Sequence, residues 1–133
     1  MKVKGIQWAG VRTTEYAAMV RLFRDGLGLE LAHEDGEFAG LMLPNGDKVE
    51  VFGASDEEHA HFDSGPVVGF LVDDVAAARA QLEALGMVEF IGPLQSWPGG
   101  TAWQHFRAPD GNVYELVGPP VDESSVSADG NTV

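Results

Sequence analysis

Apolar residues recur at helical spacing in two segments of the chain, "YAAMVRLFRDGLG" and "VAAARAQLEALG". The two apolar stripes comprise Tyr16, Met19, Val20, Phe23 and Leu27 in the first segment, and Val75, Ala78, Leu82 and Leu85 in the second. Three- and four-residue spacing puts each stripe on one helical face. The sequence therefore predicts two amphipathic helices. The first begins after Thr13-Thr14-Glu15 and ends at Gly26 or Gly28, and the second begins after Asp73-Asp74 and ends at Gly86.

Alternating or β-branched runs, separated by Gly, Pro, Asn and Asp turns, predict the strands. One run precedes each helix: "GIQWAGVR" and "PVVGFLV". Three runs follow each helix, at 29–34, 37–43 and 48–53 and again at 87–92, 101–107 and 112–118. The predicted order is therefore βαβββ, twice.

Two stretches of the chain repeat each other: "LPNGDKVEVFG" (43–53) and "APDGNVYELVG" (108–118). The shared residues are Pro44 and Pro109, Gly46 and Gly111, Glu50 and Glu115, and Gly53 and Gly118. Asn-Gly and Asp-Gly pairs accept positive φ and favour tight hairpins. The chain is thus predicted to be an internal repeat of roughly 60 residues that builds one turn twice and places one glutamate after it.

The predicted fold class is α+β, with two βαβββ modules that form a shared, cleft-enclosing sheet and carry their helices on its outer face. A sheet with a helix on one face leaves the other face bare, so neither module is expected to fold alone. The predicted domain, 1–118, comprises module one (3–53), a linker (54–65) and module two (66–118). Residues 119–133 lack periodicity and are expected to form an acidic, loose tail.

Composition narrows the classes of function. Eight basic residues against 21 acidic ones give a net charge of −13, which repels nucleic acid and anionic lipid. The first residues are too short and polar a run for a signal peptide, and no apolar run approaches the ~20 residues of a membrane span. We expect a cytoplasmic protein without nucleic-acid or membrane partners. The chain has no cysteine, so any metal must be held by His, Asp or Glu.

The acidity is concentrated in "GASDEEHAHFDSGP" (53–66), which holds four acids and no Lys or Arg. The simplest interpretation is a solvated surface, with attraction of a cationic ligand as the alternative. His59 and His61 have metal-like spacing, but no helix or strand fixes them, so a surface loop is expected. His33, beside Glu34 and Asp35, is likewise expected at the surface.

The duplicated plan, the "FRAPDGNVYELVG" ending and the "VGFLVDDVAAARAQLEALG" segment resemble the vicinal oxygen chelate superfamily over residues 3 to 118. That superfamily includes glyoxalases, bleomycin-resistance proteins, fosfomycin-modifying enzymes and extradiol dioxygenases. The resemblance implies a homodimer, and a metal held at one position on the first and one on the last strand of each module. Glu50 and Glu115 match two of these positions.

The other two positions depart from the family pattern. Trp8 and Val67 stand where the resemblance implies histidines, and neither side chain has a lone pair to give a metal. Two carboxylates alone form a poor site for zinc, iron or nickel, which prefer three protein ligands with imidazole among them. No cofactor is therefore predicted, although a divalent metal on Glu50, Glu115 and His105 stays open.

Strand alternation predicts which side chains face the cleft. Val49 and Val51 share one face of their strand, and Glu50 points to the other face. Tyr114 and Leu116 likewise share one face, and Glu115 points to the other. Because the apolar side chains are expected to pack on the helices, both glutamates are expected to face away from them. The alternative is an exposed strand glutamate. By the same rule Trp103 and His105 share one face while Gln104 and Phe106 share the other, and the resemblance implies that Phe106 packs toward the helix.

The predicted ligand-binding residues are Trp8, Glu50, Val67, Trp97, Trp103, His105 and Glu115, of which His105 and Glu115 are also the catalytic candidates. Aromatic faces with carboxylates suit a flat, cationic organic molecule. The segment "SWPGGTAW" is expected to be a hairpin loop, or alternatively a loop that closes over the cleft.

Three hypotheses on function follow. The first is a protein of the glyoxalase or bleomycin-resistance kind that binds a small organic molecule without a metal. The second is a divalent-metal-dependent lyase, isomerase or dioxygenase that uses Glu50, Glu115 and His105. The third is a dimeric interaction module.

Overall fold

The structure, a computed structural model, describes residues 1–121, and residues 122–133 of the predicted tail lie outside the described residues. The described part holds eight strands and two α-helices in the predicted order, βαβββ twice. In chain order these are β1 (Gly5–Thr13), α1 (Tyr16–Arg21), β2 (Glu30–Glu34), β3 (Phe38–Met42), β4 (Lys48–Gly53), β5 (Val67–Leu71), α2 (Val75–Leu85), β6 (Glu89–Ser96), β7 (Ala102–Arg107) and β8 (Val113–Gly118). The α+β class with two βαβββ modules is confirmed. No helix within residues 1–121 combines the length and apolar character needed to cross a membrane.

Contacts along the chain divide it into two compact units. The first unit is Gln7–Val68, with its strands in the order β2-β3-β4-β1. In this unit β1 runs parallel to β4, and β2 with β3 and β3 with β4 are antiparallel. The second unit is Met1–Ile6 together with residues 69–121, with the order β5-β8-β7-β6 and antiparallel β6–β7 and β7–β8 pairs.

Helix α2 begins and ends where the sequence predicts. Asp74 caps its start, since the carboxylate accepts a hydrogen bond from the Ala77 N–H at 3.0 Å, and Gly86 caps its end. Val75 and Ala78 are buried against β7 and β8. Leu85 lies in the helix as predicted, but at 65% exposure it is not part of the core. The chain reverses at Gly86, so no further helical turn covers Leu85.

Helix α1 is shorter than its apolar stripe. After Arg21 the chain widens into a π-helical turn, Leu22–Gly26, which the Leu27 N–H closes onto the Leu22 carbonyl at 2.9 Å. Val20 is buried in the core of the first unit, and Tyr16, Met19 and Phe23 pack around it. Leu27, which the stripe placed in the helix, lies beyond the π-helical turn and is 62% exposed. A π-helical turn breaks the 3.6-residue period and rotates the stripe away from the sheet.

The two repeated turns have the same hydrogen bonds. The Leu43 N–H donates to the Asp47 carbonyl at 2.8 Å, and the Ala108 N–H donates to the Asn112 carbonyl at 2.9 Å. Gly46 and Gly111 close the turns with φ of 90° and 86°, values that glycine adopts without a steric cost. The sequence repeat is therefore a repeat of backbone structure.

The acidic segment 53–66 differs from the predicted surface loop. Phe62 is 3% exposed, and the His59 ring stacks on Phe52 with 4.1 Å between ring centroids. His59 Nδ1 lies 2.9 Å from Asp56 Oδ2, and both His59 and His61 are half-buried. Burial of these rings on the sheet overrides the polar composition of the segment. His33, by contrast, is exposed as predicted.

Strand β6 is longer than predicted, because a register shift between Ile91 and Gln95 lets it continue to Ser96. Gln104 is fully buried, and its Nε2 donates to the Gly92 carbonyl at 3.0 Å.

The chain beyond β8 is not loose at Val121. Its N–H donates to Ser96 Oγ at 2.9 Å, and its side chain packs on the core of the second unit.

Candidate functional site

A tryptophan–glutamate pair lies on the sheet of the first unit, on the face turned away from α1. The Trp8 indole N–H donates to Glu50 Oε1 with 2.5 Å between the nitrogen and the oxygen. Trp8 is 7% exposed, and Glu50 is half-buried. The Trp8 position on β1 and the Glu50 position on β4 are those that the resemblance assigns to metal ligands, and here they are joined by a hydrogen bond.

Two glycines lie next to Glu50, and one of them, Gly10, makes room for the indole. In the strand register, Gly10 of β1 and Gly40 of β3 flank Glu50 on either side. The ring of Trp8 lies over Gly10 so closely that a Cβ added there would stand 2.3 Å from Trp8 Cζ2. Any side chain at this position would displace the indole, so Gly10 fixes where Trp8 lies.

An aromatic cluster surrounds this pair, and its members could not be read from the sequence. The Phe62 ring lies 6.0 Å from that of Trp8, and 5.6 Å from that of Phe52 in an edge-to-face arrangement. Phe38 extends the cluster, with 5.2 Å between its ring and that of Phe52. Phe62 comes from the acidic segment, where no periodicity indicated a buried ring.

A histidine–glutamate pair lies on the corresponding face of the second unit. His105 of β7 and Glu115 of β8 are directly opposite in the strand register, and His105 Nε2 is 2.9 Å from Glu115 Oε2. The two residues are 9% and 6% exposed. The imidazole and the carboxylate thus form a buried pair that can share or transfer a proton.

Strand alternation is confirmed by the packing. Val51 lies in the core of the first unit beside Val20, whereas Leu116 and Phe106 lie in the core of the second unit beside α2. Glu50 and Glu115 therefore face away from the helices, as predicted. The alternative of exposed strand glutamates is wrong, since Glu115 is buried and Glu50 is half-buried.

The structure places the other three predicted ligand-binding residues, Trp103, Trp97 and Val67, at separate points of the sheet. Trp103 is half-buried and lies opposite Val117 on β8. Trp97 is 56% exposed in the tight turn between β6 and β7, where its N–H donates to the Thr101 carbonyl at 3.0 Å. Val67 is 1% exposed on β5.

The residues present do not fit the metal that the resemblance implies. An indole N–H is only a donor, and Trp8 directs it at the very carboxylate that a metal would need. Val67 offers no lone pair for a metal, and His105 Nε2 already makes a hydrogen bond with Glu115 Oε2. Within residues 1–121, no group of three or more His, Cys, Asp or Glu side chains is arranged to hold a metal ion.

Solved structures share this fold at low identity. Methylmalonyl-CoA epimerase from Mycobacterium tuberculosis matches with a TM-score of 0.68 and 19% identity over 93% of both chains. The Streptomyces coelicolor methylmalonyl-CoA epimerase in complex with 2-nitronate-propionyl-CoA has a TM-score of 0.65 and 18% identity, over 90% of this chain and all (100%) of that chain. The Mn(II)-bound glyoxalase from Novosphingobium aromaticivorans has a TM-score of 0.66 and 23% identity, over 91% of this chain and 42% of that one.

Sequence comparison places the chain in a family. No curated protein sequence matches it. The family model described as Glyoxalase/Bleomycin resistance protein/Dioxygenase superfamily matches residues 5–116, which span all eight strands except the last two residues of β8. The chain therefore belongs to the glyoxalase/bleomycin resistance protein/dioxygenase superfamily.

Proposed function

We propose that this protein binds a small organic molecule and does so without a divalent metal. The observation that supports the proposal best is the hydrogen bond from the Trp8 indole to Glu50. In place of an imidazole that gives a lone pair, this chain has an N–H that donates a hydrogen bond to the carboxylate directly. His105 makes a comparable contact with Glu115 in the second unit.

The surroundings of Glu50 favour a flat, cationic ligand. Trp8, Phe52 and Phe62 supply aromatic faces, which attract cations through their ring quadrupoles. Glu50 supplies a negative charge beside them. The net charge of −13 adds a long-range attraction for cations that falls with rising ionic strength.

A matched pair of small aromatic probes tests this proposal. Benzamidinium and benzamide have the same ring, but only the first is charged at neutral pH. We expect benzamidinium to quench tryptophan fluorescence at a lower concentration than benzamide, and Glu50→Gln to weaken benzamidinium binding about tenfold, the change that 1.4 kcal/mol produces. Glu30→Gln, at an exposed acid of β2, is the control and should leave the affinity unchanged. Equal affinity for both probes would remove the electrostatic part of the proposal.

The buried His105–Glu115 pair favours a second candidate function, proton transfer at a carbon acid. The carboxylate would orient the imidazole and stabilise its protonated form while the ring takes a proton from the substrate. Methylmalonyl-CoA is a suitable probe, because epimerases that act on it share this fold. We expect deuterium uptake from heavy water that is lost in His105→Asn and kept in His33→Asn, at an exposed histidine. Equal uptake in both variants would contradict the assignment.

The homodimer and the cytoplasmic location implied above are also proposals. Light scattering at two protein concentrations measures the first, and fractionation of the source cells measures the second. A monomer at both concentrations would contradict the dimer.

A further inference from the structure

A small apolar pocket opens on the other face of the first unit's sheet, beneath α1 and the π-helical turn. The volume of this pocket is about 90 Å³. The residues that line the pocket are all apolar: Ala9, Gly10, Val11, Met19, Phe23, Val49 and Pro66. Most of them are only half-buried and Pro66 is exposed, so the pocket is open to solvent on one side.

This pocket is separate from the Trp8–Glu50 pair. Ala9 and Val11 alternate with Trp8 along β1, and Val49 precedes Glu50 on β4, so the pocket residues point to the opposite face of the sheet. Gly10 lines the pocket and also lies against the Trp8 ring. A ligand here would therefore not compete with the ligand proposed above, and the inference does not depend on that proposal.

The lining favours an apolar guest over water. A buried water needs two to four polar partners, and none of the side chains around this pocket offers one. An engineered apolar cavity of about 150 Å³ takes up benzene or xenon. A pocket of 90 Å³ suits a smaller guest, such as a xenon atom or a short alkyl group whose molecule extends out through the opening.

The walls of the pocket can adapt to such a guest. Met19 is unbranched and flexible, which lets it repack around ligands of different shape. Phe23 lies in the π-helical turn, and such turns occur frequently at functional sites. We infer that this pocket is a binding site for a small uncharged apolar group, of the short-alkyl class.

Xenon is the probe for this inference, read out by methyl NMR of the full chain under xenon pressure. We expect saturable shifts of the Val11, Met19 and Val49 methyl signals, with methyls of the second unit unchanged. Ala9→Leu fills the pocket and should abolish the shifts, whereas Ala18→Leu adds the same side chain at an exposed position of α1 and should keep them. Shifts that are absent in the wild type, or equal in both variants, would overturn the inference.

A second variant keeps the test independent of how Ala9→Leu folds. Met19→Ala enlarges the pocket, and we expect it to bind benzene roughly tenfold more tightly than the wild type, equivalent to 1.4 kcal/mol. An unchanged benzene affinity would contradict the assignment. Methyl shifts that follow protein concentration without xenon would instead assign the pocket to contact with a second copy of the chain.

Discussion

The indole of Trp8 and the carboxylate of Glu50 are joined by a hydrogen bond between the parallel strands β1 and β4. Both residues stand at positions that in the resemblance serve a metal. A carboxylate that accepts an N–H from its own unit has part of its hydrogen-bonding capacity satisfied without an ion. In this chain an N–H donor therefore stands where the resemblance implies a metal ligand.

Removing the indole donor should destabilise the first unit. Trp8→Phe keeps an aromatic ring but loses the N–H, and hydrogen bonds to charged groups contribute about 1.5–3 kcal/mol. We expect the free energy of unfolding in urea to fall by about that amount. Trp97→Phe, at an exposed tryptophan, is the control and should change it by less than about 0.5 kcal/mol. Equal effects of the two substitutions would contradict the importance of the Trp8–Glu50 bond.

Gly10 should not tolerate even one methyl group. In Gly10→Ala the new Cβ would meet Trp8 Cζ2 at 2.3 Å, so the buried ring must move and release Glu50. Overpacking of this kind costs about 1–3 kcal/mol. The matched control is Gly5→Ala on the same strand, where no atom lies within 4 Å of the added Cβ. We expect the indole N–H signal of Trp8 to shift in proton NMR only in Gly10→Ala, and an unshifted signal would show that the contact is unimportant.

The His105–Glu115 pair should show energetic coupling. When two residues are in direct contact, the effects of their substitutions on the free energy of unfolding deviate from additivity by about 0.5–3 kcal/mol. A double-mutant cycle with His105→Asn and Glu115→Gln, measured by urea unfolding, gives this coupling directly. Additive effects of the two substitutions would mean that the 2.9 Å contact contributes nothing to stability.

Tyr16 should make stability depend on alkaline pH. Burial, and then the hydrogen bond that its hydroxyl donates to Glu34 at 2.9 Å, raise the pKa of Tyr16 from 10.0 to about 12. Because the folded-state pKa is the higher one, this contribution is complete below pH 10 and is lost as the pH rises to about 12. We expect unfolding free energy to fall over that window in the wild type and less so in Tyr16→Phe. Identical slopes would contradict the shift.

Local sequence signals predicted the framework of the fold. The caps at Asp74 and Gly86 are chemical signals within a few residues of the helix they bound. The Asn-Gly and Asp-Gly pairs of the repeated turns predicted both hairpins, and strand alternation predicted that Glu50 and Glu115 face away from the helices. Each of these features depends on neighbours along the chain, which the sequence displays.

Features that depend on distant neighbours were missed. Nothing near Phe62 or His59 in an acidic segment indicates that their rings pack on Phe52. The pairing of His105 with Glu115 needs the register of β7 against β8, which is set by the whole hairpin. Leu27 followed the helical period but lies beyond a π-helical turn that the period does not indicate.

Metal retention by the purified protein shows whether Glu50 and Glu115 hold a divalent ion. The protein is purified without chelators or a tag, incubated with Zn, Mn or Ni, desalted, and measured by elemental analysis. We expect well below one ion per chain in the wild type. The positive control is the double variant Trp8→His with Val67→His, which completes the donor set that the resemblance implies. This variant should retain about one ion per chain. A stoichiometric metal ion on the wild-type chain would contradict the metal-independent account.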